Sequence, residues 1–362
     1  LKETGLFRFL SIWAAQRVRG NPVALLAALS TLVLLCSALL DNVTTVLLTV
    51  PITFSLARQL GISAKPFVIA QIFASNIGGT CTMIGDPPNI MIASAVPELD
   101  FMAFIRNLAL PCVISFIFTL GILLLIFRRD LRCDEQNKRH IMAMSTKGLI
   151  RCPRMLHKCL FTLGLTIVLF CMHGQIPGWT LESGTIAVTG ASLLMLLTMP
   201  TRTQVLEKVF SHVEWTTIFF FIGLFVLVGG LEVNGIINWM AAHAMEMTQG
   251  DPTATTATVL GMSAIMSSFV DNIPFVATMI PLIKDMGAMG FADLEPLWWA
   301  LSFGACLGGN GTVIGASANV VALALARKEG LVVSFFNYMK LAFPLMLLSI
   351  LISWIYLWIR FL

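Results

Sequence analysis

Two acid–amide pairs interrupt long apolar stretches of this sequence. Asp41-Asn42 ends the apolar run of residues 23–40, and Asp271-Asn272 lies 230 residues further on in a similar setting. A carboxylate inside a long apolar segment is costly to bury and usually functional, and Asp is also a good N-cap for a following helix. We expect both aspartates to cap helices and at least one of them to bind a coupling ion.

A glycine-rich break follows each pair at the same distance. GGTCTMIG, which begins at Gly78, matches GGNGTVIG, which begins at Gly308, and Asn89 matches Asn319. One constant offset of 230 residues relates all of these positions without a gap. It predicts a duplicated unit whose polar groups meet at one substrate or ion site. The candidate ligands are Asp41, Asn42, Gly78, Gly79, Thr82, Asp86, Asn89, Asp271, Asn272, Gly308, Gly309, Asn310, Thr312 and Asn319.

Several of these residues also have a structural interpretation. Glycines interrupt a helix or let backbones approach closely, and Asn89 and Asn319 are expected to cap the helix after each break. Asp86 has no acidic counterpart, because Ala316 stands at the matching position. It either holds a proton or cation, or is a turn residue before two prolines. Cys81 is a weak candidate for binding a thiophilic metalloid, since the second copy has glycine there.

The composition indicates an integral membrane protein. Of 362 residues, 57% are hydrophobic and 12% are charged, whereas a soluble domain needs about 25% charged residues. Continuous rather than alternating apolar runs exclude a porin-like barrel. The eight Cys are scattered along the chain, which argues against a metal site and a disulfide framework. The sequence shows no nucleophile–base constellation and no phosphate-binding loop, so we do not expect an enzyme. The net charge is +4, and the basic residues lie in loops, where they orient a membrane protein. The charge therefore does not suggest a nucleic-acid partner.

The expected fold class is an all-α integral membrane protein with two re-entrant helical hairpins and two broken transmembrane helices. The hairpin limbs are predicted to be too short for ordinary spans. The basic loop 128–158, with Arg202 and Lys208, is predicted to be cytoplasmic, and residues 232–251, without Lys or Arg, to be an outside loop. Five crossings between the hairpins then make the repeat inverted, as in secondary transporters.

The expected domains follow from the two repeats. Residues 6–16 predict a helix at the membrane interface. Ordinary spans are predicted at 108–127, 159–172, 185–199, 215–231 and 340–358. The predicted domains are an interfacial helix and scaffold arm at 1–22, transport repeat 1 at 23–97, scaffold spans at 98–252, transport repeat 2 at 253–328 and a C-terminal scaffold span at 329–362.

Four stretches carry a family resemblance: SALLDNVTTVLLTVPI, NIGGTCTMIGDPPNIMIASA, SSFVDNIPFVATMIPLI and FGACLGGNGTVIGASANVV. In these stretches the chain resembles the ion transporter superfamily, in the branch of arsenite permeases and the P protein, which is citrate-transporter-like. The resemblance covers residues 5–343 and implies an elevator-type secondary transporter with a few further N-terminal spans. Members of the superfamily move dicarboxylates, citrate, or sodium against protons, so the resemblance implies a transporter more firmly than a substrate.

The motif blocks contain no Lys or Arg, so the substrate is neutral or the acids are first neutralised by H+ or Na+. We expect export of arsenite or antimonite in exchange for protons, with a sodium/proton antiporter and a carboxylate-type anion transporter as open alternatives. A channel is disfavoured by the paired hairpins.

The expected partners are a small inorganic solute, the lipid bilayer, a second copy in a homodimer and a cytoplasmic ATPase subunit. No cofactor is expected, and the location is a bacterial inner membrane. His173, His212 and His243 are expected at the membrane interface, with His243 a weak candidate for pH sensing.

Overall fold

The computed structural model describes residues 4–144, 148–172, 182–198, 210, 213 and 215–362, and helices make up most of these residues. The basic residues Arg202 and Lys208, and also His173 and His212, lie outside the described residues. In chain order the helices are α1 (Leu6–Arg17), α2 (Pro22–Leu39), α3 (Asn42–Leu60), α4 (Lys65–Thr80), α5 (Pro87–Ala95), α6 (Phe101–Ile126), α7 (Glu135–Met142), α8 (Pro153–Met172), α9 (Ser183–Thr198), α10 (Trp215–Val233), α11 (Ile236–Thr248), α12 (Pro252–Phe269), α13 (Asn272–Ala288), α14 (Glu295–Gly308), α15 (Ser317–Lys328) and α16 (Phe335–Phe361).

The first hairpin consists of α2 and α3, and local sequence sets its ends. The Asn21 side chain accepts hydrogen bonds from the first turn of α2, Pro22 starts that helix, and α3 ends at Gly61 in a left-handed conformation. A Cβ added to Gly20 would lie 3.2 Å from Lys138 Cα, and one added to Gly61 would lie 2.9 Å from Asn137 Nδ2. The start of α2 and the end of α3 therefore meet the same helix, α7, so the two limbs are antiparallel.

The second hairpin consists of α12 and α13. Side chains from the first half of α12 and the second half of α13 line one cavity with α11, so these limbs are also antiparallel. The prediction that the limbs are too short to span was wrong for the first hairpin. Its helices contain 18 and 19 residues, and both are long and apolar enough to cross a membrane.

The same hydrogen bonds hold both copies of the repeat. Ser37 Oγ donates to the Ser75 carbonyl at 2.6 Å, and Ser267 Oγ donates to the Ala305 carbonyl at 2.6 Å. Each pair joins the first limb of a hairpin, α2 or α12, to the first half of a broken helix, α4 or α14. A Cβ on Gly78 would meet a backbone carbonyl of α2 at 2.3 Å, so only glycine permits this approach.

The two copies interlock rather than lying side by side. The second half of each broken helix packs on the other copy's hairpin: α5 contacts α13, and α15 contacts α3. The first halves, α4 and α14, lie at the centre, and every residue of Pro66–Thr80 and of Pro296–Gly308 is buried. The two breaks, residues 81–86 and 309–316, are thereby held in the middle of the molecule.

The remaining helices surround this centre. Within the described ranges, six helices are long and apolar enough to cross a membrane (α2, α3, α6, α8, α10 and α16), and α9 is a shorter apolar helix. Only 6% of α10 is buried, so nearly all of its apolar surface faces outward, as expected for contact with lipid.

Two predicted loops contain helices. Residues 128–158 include α7 and the start of α8, and residues 232–251 include α11. Only the first of these helices is strongly polar, and it is held by tertiary contacts: Asn137 Nδ2 of α7 donates to the Leu60 carbonyl at 3.1 Å. The predicted helix at 6–16 is present as α1, which packs against α2 and α3. His243 stacks on Trp239 in α11, with ring centroids 5.7 Å apart.

Candidate functional site

The two hairpin tips meet at one cavity of about 570 Å³. Asp41 and Asn42 start α3, Asn272 starts α13, and all three line the cavity. The hairpin tips, 230 residues apart in sequence, therefore face each other across a shared space. The lining residues are Asp41, Asn42, Val43, Thr44, Asp86, Pro87, Thr217, Asn272, Ile273, Ala316, Ser317 and Val321.

Four helix N-termini point to this cavity. The first residues of α3, α5, α13 and α15 all contribute to its lining. Each N-terminus is equivalent to roughly +0.5 charge, because its first N–H groups have no partner within the helix. None of the described lining residues is Lys or Arg. The only positive potential that these residues supply is therefore that of the helix ends.

The hairpin-tip aspartates cap their helices, as predicted. Asp41 Oδ2 accepts from the Thr44 N–H at 2.8 Å, and Asp271 Oδ1 accepts from the Ile273 N–H at 3.1 Å. Asp271 Oδ2 also accepts from Ser317 Oγ at 3.1 Å, which ties the second hairpin to α15. The capping role is confirmed, and ion binding by these two residues stays a prediction.

Asp86 is the acid that capping does not explain. It is 1% exposed, lines the cavity and precedes α5, but its side chain caps no N–H of that helix. Oδ1 accepts from Asn272 Nδ2 at 3.4 Å, and Oδ2 has no hydrogen-bond partner among the described residues. A buried carboxylate oxygen without a partner is costly, so it is the natural place for a proton or a small cation.

The two broken helices differ where they enter the cavity. Asp86 is followed by Pro87 and Pro88, so α5 offers no N–H at its first two positions. The matching residues of α15 are Ser317 and Ala318, both of which have an N–H. Repeat 1 thus presents a carboxylate, and repeat 2 presents a hydroxyl and the N–H groups at the start of α15.

Asn89 and Asn319 do not cap helices, which corrects that prediction. Asn89 Nδ2 donates to the carbonyl groups of Thr80 and Thr82, and Asn319 Nδ2 donates to those of Gly309 and Thr312. Residues 81–86 and 309–316 have left the helix, so their neighbouring carbonyls need other partners. Both asparagines therefore hold the breaks in shape from within the protein.

Asn76, which the sequence analysis did not single out, links the two repeats. Its Nδ2 donates to Asn310 Oδ1 at 3.0 Å and to Asn319 Oδ1 at 2.8 Å, and its Oδ1 accepts from Asn42 Nδ2 at 3.4 Å. The contact recurs across the repeat, because Cys306, which matches Asn76, donates its Sγ to Asn89 Oδ1 at 3.5 Å, and Ser302 Oγ donates to the same oxygen at 2.6 Å. Because the matching residues differ, residue identity between the repeats does not mark Asn76 as a site residue.

The remaining predicted ligands lie behind the cavity. Thr82 and Thr312 donate their hydroxyls to backbone carbonyls of α2 and α12. The predicted glycines, Gly78, Gly79, Gly308 and Gly309, pack closely against other backbone atoms. Of the fourteen predicted ligands, only Asp41, Asn42, Asp86 and Asn272 line the cavity. The structure also adds Ser317 and Thr217, and Thr217 lies on α10, which has no repeat to reveal it.

Cys81 is buried near a second thiol rather than in the cavity. Its Sγ donates to the Ile77 carbonyl at 3.3 Å, and its side chain contacts that of Cys112 on α6. Among the described residues no group of three or more His, Cys, Asp or Glu could hold a metal ion.

Comparison with known proteins decides the family. The sequence model of the citrate transporter family matches residues 1–304. An uncharacterized transporter of Mycobacterium tuberculosis is 40% identical over the whole chain and 82% of its own length. The chain belongs to the citrate transporter family.

Other members of the wider group fit this assignment. The 46 kDa membrane protein of Mycobacterium leprae is 38% identical over the whole chain and 83% of its own length. The human P protein is 32% identical over 98% of the chain and 51% of its own length. The predicted resemblance to the ion transporter superfamily is confirmed, and this citrate transporter family member is a multi-pass membrane transporter, not an enzyme.

Proposed function

We propose that the protein is a cation-coupled secondary transporter of a small carboxylate anion. The observation that supports it most is the shared cavity, in which four helix N-termini surround the buried carboxylate of Asp86. Helix N-termini bind anions, and a carboxylate at membrane depth binds protons or cations. The description of the matching family, a citrate transporter, favours the same substrate class.

The charges of the cavity suggest how coupling works. Four N-termini of about +0.5 each offset about two of three carboxylates: those of Asp41 and Asp86, which line the cavity, and that of Asp271, which accepts from the lining residue Ser317. One negative charge is left, at the oxygen of Asp86 that lacks a partner. A proton or sodium ion on Asp86 removes that charge, so an anion binds more tightly once the cation is present. By linkage, the anion tightens cation binding by the same factor.

The proposed movement follows the repeat. Residues 23–97 and 253–328 form one transport domain, with the two repeats inverted relative to the bilayer, and the other spans form the scaffold. An elevator movement of this domain past α10 would carry the cavity across the membrane. The mycobacterial relatives favour a bacterial inner membrane.

A second candidate substrate is arsenite, exported in exchange for protons. The lack of Lys and Arg among the lining residues favours it, because trivalent arsenic in water is an uncharged trihydroxide. Hydroxyl and amide side chains such as those of Ser317 and Asn272 suit such a solute.

Transport by purified protein in liposomes tests these proposals. Radiolabelled citrate and arsenite are offered separately, with an imposed proton gradient, sodium gradient or neither. We expect the wild type to accumulate citrate when a cation gradient is imposed. Asp86→Asn should lower this accumulation at least tenfold, because a neutral amide neither takes up a proton nor balances the charge of a bound cation. Asp251→Asn is the control, since Asp251, like Asp86, directly precedes the proline that starts a helix but lies outside the cavity.

Three results would redirect the assignment. Arsenite accumulation without citrate accumulation would select the second candidate. Sodium-dependent proton movement with neither solute present would select the sodium/proton antiporter. Unchanged gradient-driven accumulation in Asp86→Asn would remove Asp86 as the coupling residue.

A further inference from the structure

Repeat 1 contains a column of buried polar side chains away from the cavity. Thr45, Thr49 and Thr53 lie four residues apart on one face of α3, and each is at most 2% exposed. Gln71 of α4 is 1% exposed, and its Nε2 donates to Thr53 Oγ1 at 2.7 Å. The column begins one turn from Asn42, which lines the cavity, and ends at Thr53, about 16 Å from Asn42 at 1.5 Å per residue.

The column has no counterpart in repeat 2. At the same offset of 230 residues, the threonines are replaced by Phe275, Met279 and Ile283, and Gln71 is replaced by Leu301. Leu301, Met279 and Ile283 are buried, so the second copy forms this interface with apolar packing. The duplicated fold therefore does not need polar groups at these positions.

After the hydrogen bonds within the column are made, some oxygen lone pairs remain without a donor. Each threonine hydroxyl donates to the carbonyl four residues earlier, at 2.9 to 3.1 Å. The Thr53 hydroxyl has therefore spent its proton, which fixes the Gln71 amide with its nitrogen towards Thr53. Gln71 Oε1 then has no partner among the described residues. A buried amide oxygen left unpaired costs about 1–3 kcal/mol, and a donor or cation would remove that cost.

The chemistry of these oxygens favours one kind of guest. Neutral hydroxyl and amide oxygens are too weakly basic to hold a proton, but they coordinate hard cations, as the carbonyls of ion-selective channels do. None of the four side chains is titratable. A monovalent cation is preferred over a divalent one, because the column contributes no carboxylate to balance a second charge.

We propose that Gln71 and the adjacent Thr53 form the core of a binding site for a small monovalent cation, sodium in the first instance, in repeat 1 alone. The site deepens the proposed cation-coupled transport and rests on it for its physiological role. It is separate from Asp86, which matches Ala316 and adds to the same asymmetry between the repeats. Cation binding then belongs to repeat 1, and repeat 2 contributes the free helix N-terminus of α15.

The test uses purified full-length protein and needs no knowledge of the substrate. Thermal unfolding is followed by intrinsic fluorescence while sodium chloride replaces choline chloride at constant ionic strength, with lithium and potassium as further arms. A cation that binds only the folded state raises Tm with its own concentration dependence. We expect sodium to stabilise the wild type more than potassium, and Gln71→Leu, which copies Leu301, to raise the half-saturating sodium concentration about tenfold or more.

Two further variants distinguish loss of the cation site from a folding defect. Thr53→Val keeps the shape of the side chain and should cause a similar shift, so it serves where Gln71→Leu does not fold. Ser75→Ala is the matched control, because Ser75 is an equally buried polar residue of α4 and its counterpart is Ala305. Its sodium dependence should stay within about twofold of that of the wild type.

Several outcomes would overturn the proposal. Equal stabilisation by sodium and choline would show that no such site exists. An unchanged sodium dependence in both Gln71→Leu and Thr53→Val would place the ion elsewhere. If only Asp86→Asn abolished sodium stabilisation, this site would be rejected while the proposed function stood. The reverse pattern would keep this site and reject Asp86 as the coupling residue.

Discussion

The amide of Asn76 is predicted to hold the two repeats together. Its side chain is fully buried and makes three hydrogen bonds, two of them across the repeat at 2.8 and 3.0 Å. Asn76→Ala leaves Asn310 Oδ1 and Asn319 Oδ1 without this donor. A bond between membrane helices contributes about 0.6 kcal/mol on average, and an unpaired buried acceptor costs about 1–3 kcal/mol. With two acceptors left unpaired, we expect a loss of about 2–6 kcal/mol in the free energy of unfolding.

A double-mutant cycle separates the contact from general damage. Unfolding of Asn76→Ala, Asn319→Ala and the double variant is measured in mixed micelles of increasing denaturing-detergent fraction. The two side chains share one hydrogen bond. The loss of unfolding free energy in the double variant should therefore be smaller, by about 1 kcal/mol, than the sum of the losses in the two single variants. Asn137→Ala is the control partner, since Asn137 contacts the far end of α3.

The reasoning is refuted if the Asn76 and Asn319 effects add within about 0.3 kcal/mol, as independent sites do. Additivity would mean that the two repeats are joined by apolar packing alone and that the amide chain contributes little. Coupling with the control partner Asn137 would show instead that the substitutions disturb the fold as a whole.

Three further substitutions have outcomes set by local geometry. Gly85→Ala should lower stability by about 1–3 kcal/mol, because its Cβ would lie 2.6 Å from a backbone carbonyl oxygen. Gly121→Ala should be neutral or slightly stabilising in thermal unfolding, because no described atom would lie within 4 Å of the added Cβ. Thr312→Val should cost about 1 kcal/mol in the same assay, because it removes the hydroxyl that donates to a backbone carbonyl of α12; an unchanged Tm would contradict that bond. Arg58→Gln should change stability by less than about 1 kcal/mol, because the ion pair of Arg58 with Glu329 is exposed, and a larger loss would mean that it acts in a network.

The duplication and the hairpin tips could be predicted because they depend on short, ordered sequence signals. A constant offset survives in the printed sequence, and Asp before a helix has a local effect that needs no tertiary context. The position of Asp41 and Asn42 at the start of α3, facing Asn272, follows from these two signals alone. Asp86 could be named as a candidate because it breaks the repeat.

The features that could not be predicted from the sequence are those that depend on tertiary contacts. The roles of Asn89 and Asn319 depend on which carbonyls each break leaves unpaired, and no periodicity records that. Asn76 acts across 234 and 243 residues of sequence. The helix α7 is highly polar and was assigned to a loop, but it is held by its contacts with the ends of the first hairpin.

In this duplicated chain, the shared and the differing positions have different meanings. Gly78 and Gly308, or Ser37 and Ser267, are identical because both copies must bring two helices into the same close contact. Such positions maintain the architecture, and their identity says little about ligands. Where the copies differ inside the same architecture, packing alone no longer explains the choice of residue. Asp86 stands against alanine and Gln71 against leucine, in both cases at a buried site where the apolar residue fits. A buried polar group that the fold can do without is retained at a cost, so function is the better explanation. The differences between the copies are therefore the positions at which to look for coupling-ion chemistry.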